Sequence, residues 1–156
     1  MRQLLIVCTA NICRSPMAAA LIQDRLDKAG LADQVSVRSA GVFAQPGYAA
    51  APAMVSRLAA RNLDISQHSS APLTSSDIAS ADLIVVMEEA HRQAIFYRAP
   101  HLLYKVFRLS ELAGKHVDLA DPYGGPEEGY DRAIALADQY LEAGWPQLLS
   151  KLSVPV

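Results

Sequence analysis

The chain has 156 residues, 51% of them hydrophobic and 19% charged, with a net charge of −2; that suits one globular domain over 1–156, and excludes a disordered or fibrous chain. Its 14 Lys and Arg residues are scattered without the basic stripe that a nucleic-acid partner requires, and no apolar run approaches the roughly 20 residues of a membrane-spanning helix. Two cysteines, Cys8 and Cys13, are too few for a disulfide scaffold and have no His or Cys nearby at zinc-ligand spacing, so no metal and no cofactor is expected.

The opening MRQLLIVCTA has only a short apolar run and no small-residue cleavage site, so it reads as a buried strand rather than a signal peptide, and the expected setting is the cytoplasm. That strand spans Leu4 to Cys8. Thr9 to Arg14 cannot extend it, and Ser15-Pro16 then predicts a helix start, with Ser15 as N-cap and Pro16 at the first helical position. Met17 to Ala29 runs with helical periodicity and Gly30 ends it. Val35 to Ser39 alternates like a second strand, 40–52 is a small-residue loop, and Ala53 to Asn62 resumes helical spacing. Asp82 to Met87 is the most strand-like run, with a helix predicted from Glu88 to Tyr97 directly after it. Tyr104 to Leu109 is a weaker fourth strand, Asp121 to Gly125 a loop, and Glu127 to Leu152 a long amphipathic helix with a bend expected at Gly144-Trp145-Pro146. Strands alternating with helices predict an α/β fold: one domain of three layers, a central four-stranded parallel sheet with helices on both faces, and a ligand site beyond the carboxyl ends of the strands. Cys8 ends the first strand at that position.

The segment Cys8-Thr9-Ala10-Asn11-Ile12-Cys13-Arg14-Ser15-Pro16 is a strand end, a tight loop and a helix start. Successive backbone N–H groups of Thr9, Ala10, Asn11, Ile12, Cys13, Arg14 and Ser15, backed by the positive end of a helix dipole, make an anion site sized for phosphate. Arg14 adds a planar fork able to grip two oxygens at once. The same donors favour the thiolate of Cys8, which makes it a candidate nucleophile.

Cys, five residues, Arg and Ser at the end of the first strand, with Asp121-Pro122-Tyr123-Gly124-Gly125 far downstream, resemble the low-molecular-weight protein tyrosine phosphatases. The similarity continues through Val37-Arg38-Ser39-Ala40-Gly41, His68 with Leu73-Thr74, and Asp82 to Glu88. It implies a hydrolase in which Cys8 attacks phosphorus, Arg14 binds the phosphoryl oxygens and Asp121 serves as acid and then base. By the same resemblance Ser15 donates to the Cys8 sulfur, and Asn11 takes a left-handed backbone conformation while its amide joins Ser39 and His68 in a supporting network. Ile12, Phe43 and Tyr123 are candidate walls of the substrate cleft, although Phe43 also reads as ordinary packing. Cys13 is either a packing residue or a redox partner that forms a reversible disulfide with Cys8. His68 reads as a structural hydrogen-bonding group, since the mechanism already has its acid.

The implied partners are a phosphotyrosine-containing protein, a tyrosine kinase among them, and phosphate or another oxyanion in the loop, handled by a monomer. Three other readings stay open. Val37 to Pro46 and Gly124-Gly125 look like a bacterial branch that includes protein-arginine phosphatases; that branch has threonine just before the second loop cysteine, where this chain has Ile12. A desolvated guanidinium needs a polar partner there, so Ile12 favours phosphotyrosine. An arsenate reductase would need an external thiol, because no cysteine follows Cys13. A non-catalytic phosphate-binding module would need neither Cys8 nor Asp121.

Overall fold

The computed structural model describes residues 1–155; Val156, the last residue of the expected domain, lies outside them. Nine regular elements follow in the order β1 (Arg2–Cys8), α1 (Arg14–Lys28), β2 (Val35–Gly41), α2 (Pro52–Ala59), α3 (Ser75–Ser80), β3 (Leu83–Val86), α4 (Glu89–Arg98), β4 (Val106–Arg108) and α5 (Glu127–Lys151), with short 3-10 turns on either side of β4. The four strands form one parallel sheet in the order β2-β1-β3-β4, which is the α/β class expected from the alternating pattern.

Side chains of a strand point alternately to the two faces, and the core divides accordingly. Leu4, Ile6 and Cys8 of β1, with Leu83 and Val85 of β3, pack into a large cluster with Met17, Leu21 and Ile22 of α1, Met54 and Leu58 of α2, and Ile134, Leu141 and Leu148 of α5. Leu5, Val7, Ile84, Val86 and Val106 face the other way, against Ile78 of α3 and Ile95 of α4. Three layers result, with β1 and β3 buried on both sides.

Several boundaries differ from the sequence reading, each for a local reason. Helix α1 begins at Arg14, with Cys13 and not Ser15 at its N-cap position; the Cys13 carbonyl accepts from Met17 N at 3.1 Å, and no side chain caps the helix. Ser15 is inside the helix because its hydroxyl is engaged by Cys8 and Asn11 instead. Helix α2 stops at Ala59 because Asn62 turns left-handed, at φ +63°, and Leu63 N closes back on Leu58 O at 2.9 Å. Strand β2 runs two residues further than expected, to Gly41, and β4 is only three residues long because Tyr104 lies in the preceding 3-10 turn. Helix α3 was not expected at all. Helix α5 runs unbroken through Pro146.

Candidate active site

In this sheet the chain leaves β1 toward β2 on one side and later reaches β3 on the other, so the crevice between their carboxyl ends is a topological switch point, where α/β folds bind ligands. Cys8 ends β1 opposite Gly41, and the next residues curl into a loop that ends at α1. Gly41 is required there by space: a Cβ on it would lie 2.5 Å from the Thr9 carbonyl oxygen and 3.0 Å from Asn11 N. The loop is pinned from outside, by Val42 N to Cys8 O at 3.0 Å, Phe43 N to Thr9 O at 2.9 Å and Ala51 N to Ile12 O at 2.7 Å. Among the described residues, no backbone N–H from Thr9 to Cys13 donates to another protein group. Unpartnered donors concentrated on one short curl, at the positive end of the α1 dipole, make a receptor for an anion.

Asn11 closes the curl. Its φ is +57°, a conformation Asn tolerates better than most residues. Its Oδ1 accepts from Ala71 N at 2.9 Å, which assigns the amide orientation, and Nδ2 then donates to Ser15 Oγ at 2.7 Å and Ser39 Oγ at 3.0 Å. His68 does not reach that amide: its Nε2 lies 2.6 Å from the backbone carbonyl of Asn11, since the left-handed turn directs the carbonyl, not the side chain, toward it. With Ser15 Oγ already accepting from Asn11, its hydroxyl hydrogen is free for the Cys8 sulfur 3.0 Å away.

Arg14 is 2% exposed. Its Nη1 is held by the Glu88 carboxylate, with which it pairs, and by the carbonyl of Leu119 at 2.7 Å. The other nitrogen, Nη2, lies 3.4 Å from Thr9 Oγ1 and 3.7 Å from Asp121 Oδ2. One edge of the guanidinium is therefore fixed by the fold while the other faces the pocket. Asp121 is half-exposed, and its Oδ1 accepts from Tyr123 N at 3.1 Å. Cys8, Thr9, Ala10, Ile12, Cys13, Arg14, Asp121 and Tyr123 together line a pocket of about 150 Å³ with mostly apolar walls.

Cys13 is buried beside this pocket, and burial, followed by the negative charges of Asp121 and Cys8, pushes its thiol up to about 12. It remains a thiol at neutral pH, and both cysteines are free. Phe43 is not brought into the pocket wall: the backbone bonds of Val42 and Phe43 to the loop carbonyls leave its ring 82% exposed. Two residues that sequence reasoning gave no role are part of the site. Glu88 holds Arg14 across a separation of 74 residues, and His91 reaches Thr9 across 82. Their one signal is position, just past the carboxyl end of β3, the strand beside β1.

Comparison with known proteins gives consistent matches. The family model described as low molecular weight phosphotyrosine protein phosphatase matches residues 3–154. A probable low molecular weight protein-tyrosine-phosphatase, EpsP of Ralstonia nicotianae, is 40% identical over 147 residues, covering 94% of this chain and 96% of its own length. A protein-arginine-phosphatase of Bacillus subtilis is 42% identical over 128 residues, 81% of this chain and 83% of its own. Among solved structures, the YwlE arginine phosphatase, in a mutant with a phosphorylated active site serine, superposes with a TM-score of 0.87 at 37% identity, covering 96% of each chain.

Proposed function

The chain belongs to the low molecular weight phosphotyrosine protein phosphatase family, and on that premise we propose that Cys8 is its nucleophile, Asp121 its general acid and base, and protein phosphotyrosine its substrate. It is a cysteine-based phosphatase. What carries the assignment of roles is one juxtaposition: the Cys8 sulfur with its Ser15 donor, Arg14 Nη2 and the Asp121 carboxylate all border the same pocket.

In the proposed scheme the Cys8 thiolate attacks phosphorus in line, a sulfur–phosphorus bond forms and the phosphorus–oxygen bond to the tyrosine breaks. The Asp121 carboxyl gives its proton to the departing phenolate. The resulting Asp121 carboxylate then takes a proton from water as that water attacks the cysteinyl-phosphate, which releases phosphate and restores the thiolate. Arg14 and the loop N–H groups stabilise the equatorial oxygens in both steps. The phosphorylated active site serine described for the YwlE mutant supports a covalent phosphoryl intermediate at this position. Cys8→Ser is expected to abolish turnover of para-nitrophenyl phosphate while phosphate binding persists; full activity in that variant would remove Cys8 from the scheme.

Ile12 and Tyr123 line the pocket, and a cavity near 150 Å³ is of the size known to admit a benzene ring. An aryl phosphate gains from such walls, whereas a guanidinium would be desolvated beside Ile12 without a polar partner. The arginine-directed reading is supported by the 42% identity to the Bacillus subtilis protein-arginine-phosphatase. Turnover measured side by side on phosphotyrosine, phosphoarginine and arsenate separates the three activities. Ile12→Thr is expected to shift the ratio of rates toward phosphoarginine, and an unchanged ratio would refute the pocket argument.

A monomer acting on a phosphorylated protein, a tyrosine kinase included, in the cytoplasm belongs to the same proposal; among the described residues no helix is long and apolar enough to cross a membrane. The redox role of Cys13 is proposed on its place beside Cys8 in the pocket wall. Cys13→Ala is expected to turn peroxide inactivation that dithiothreitol reverses into inactivation that it does not.

A further inference from the structure

Thr9 carries a side chain whose hydrogen bonding is over-determined on its acceptor side. The Nδ1 of His91 accepts from two backbone N–H groups, those of Met87 at 3.3 Å and Glu88 at 3.0 Å. A ring nitrogen that accepts cannot also carry the proton, so the hydrogen of the neutral imidazole sits on Nε2. The ring is 2% exposed, and burial together with the charge of Arg14 holds its titration down to about 4, so it stays neutral at physiological pH. Nε2–H therefore donates to Thr9 Oγ1 at 2.9 Å. Arg14 Nη2 donates to the same oxygen at 3.4 Å.

Two donors occupy the two lone-pair sides of the Thr9 hydroxyl, which leaves its own hydrogen to be given away. Among the described residues, none stands at hydrogen-bonding distance from Oγ1 except these two donors. The residue lines the pocket beside Cys8 and Arg14, and the Arg14 nitrogen it touches is the one that faces Asp121. Resting on the phosphatase reading for the identity of the anion, we infer that the Thr9 hydroxyl is a further side-chain donor to the bound phosphoryl group, and that His91 is the positioning residue that aims it. Oxygen, not the backbone alone, then contributes at this point of the loop, and a neutral buried histidine acts on the anion at one remove. The helix that carries His91 is thereby tied to the loop that carries the nucleophile.

Binding of inorganic phosphate and of orthovanadate to the full chain, measured by titration calorimetry, tests this directly. A hydrogen bond to a charged group is worth about tenfold or more in binding. Thr9→Val is expected to weaken both anions about tenfold, and Thr9→Ser, which keeps the hydroxyl, to bind within about twofold of the parent. His91→Asn retains an acceptor near the place of Nδ1 for the two amides but removes the Nε2–H, and a loss comparable to that of Thr9→Val is expected. The double variant should then be no weaker than Thr9→Val alone, because His91 acts only through Thr9. Unchanged binding in Thr9→Val, a Thr9→Ser variant as weak as Thr9→Val, or additive losses in the double variant would overturn the inference. Should Thr9→Val not fold, Thr9→Ser against Thr9→Ala carries the same contrast. Absence of turnover by the parent protein would overturn the phosphatase reading alone, because binding and not hydrolysis decides this one.

Discussion

Asn11 is the residue on which the loop turns. It combines a left-handed backbone with three side-chain hydrogen bonds that reach Ser39 of β2, Ala71 in the loop before α3, and Ser15 of α1. Asn11→Ala removes all three and puts a less tolerant residue at φ +57°. It is expected to lower kcat for para-nitrophenyl phosphate at least tenfold, since each of the three neutral hydrogen bonds lost is worth about 1 kcal/mol, and full retention of kcat would show that the loop closes without the amide. Gly41→Ala tests the same closure from outside. Its Cβ would meet the Thr9 carbonyl at 2.5 Å, a backbone atom with no freedom to retreat, so loss of anion binding is expected with the fold retained, checked by calorimetry beside a thermal melt. Cys8, Asn11, Arg14 and Ser15 were legible in the sequence because a phosphate loop is contiguous and each residue type has its own chemistry. Glu88 and His91 were not, since their partners lie 74 and 82 residues away and nothing local in either stretch encodes the pairing.

At the scale of elements, the strands and long helices were legible through periodicity, and the misreadings fall where periodicity has too few residues to act. Helix α3 has six residues and one buried side chain, Ile78; its true signal was the capping box Thr74-Ser75-Ser76-Asp77. Thr74 Oγ1 accepts from Asp77 N and Thr74 N donates to Asp77 Oδ2, both at 3.0 Å. Thr74→Ala is expected to cost about 1 kcal/mol with phosphatase activity unchanged, and equal melting temperatures would show that the cap is dispensable. In α5, Gly144 marks where the helix crosses the 3-10 turn after β4. Alanine there would gain about 1 kcal/mol of helix propensity over glycine. Its Cβ, however, would sit 2.6 Å from the Leu112 carbonyl carbon, and overpacking costs typically about 1–3 kcal/mol. The obstruction is backbone, so the clash wins: Gly144→Ala is expected to lower the melting temperature by several degrees, and a rise would mean that the turn yields freely.

For the molecule as a whole, the consequence of burying His91 between sheet and loop is a dependence of stability on pH. Arg14, Glu88, Asp118 and Asp121 act on the ring, and burial outweighs the three carboxylates, so its folded-state pKa falls from 6.5 to about 4. The unfolded chain therefore binds a proton at this residue from about pH 6.5 downward, while the folded protein refuses it until about pH 4. Stability must fall as pH drops through that window, by on the order of 3 kcal/mol across the whole of it, and the contribution levels off below. Asp118 and Glu111, whose ionised forms are favoured by hydrogen bonds from Glu89 N and Arg108 N and by their arginine partners, add a loss in the same direction, but only where carboxylates protonate, at the acid end. The upper part of the window, above about pH 4.5, thus separates the histidine from the acids. Urea midpoints measured between pH 7 and pH 4.5 are expected to decline in the parent protein and to decline less steeply in His91→Asn, whatever that variant loses at pH 7. Parallel slopes in the two proteins would mean that the imidazole takes up its proton without unfolding the site around it.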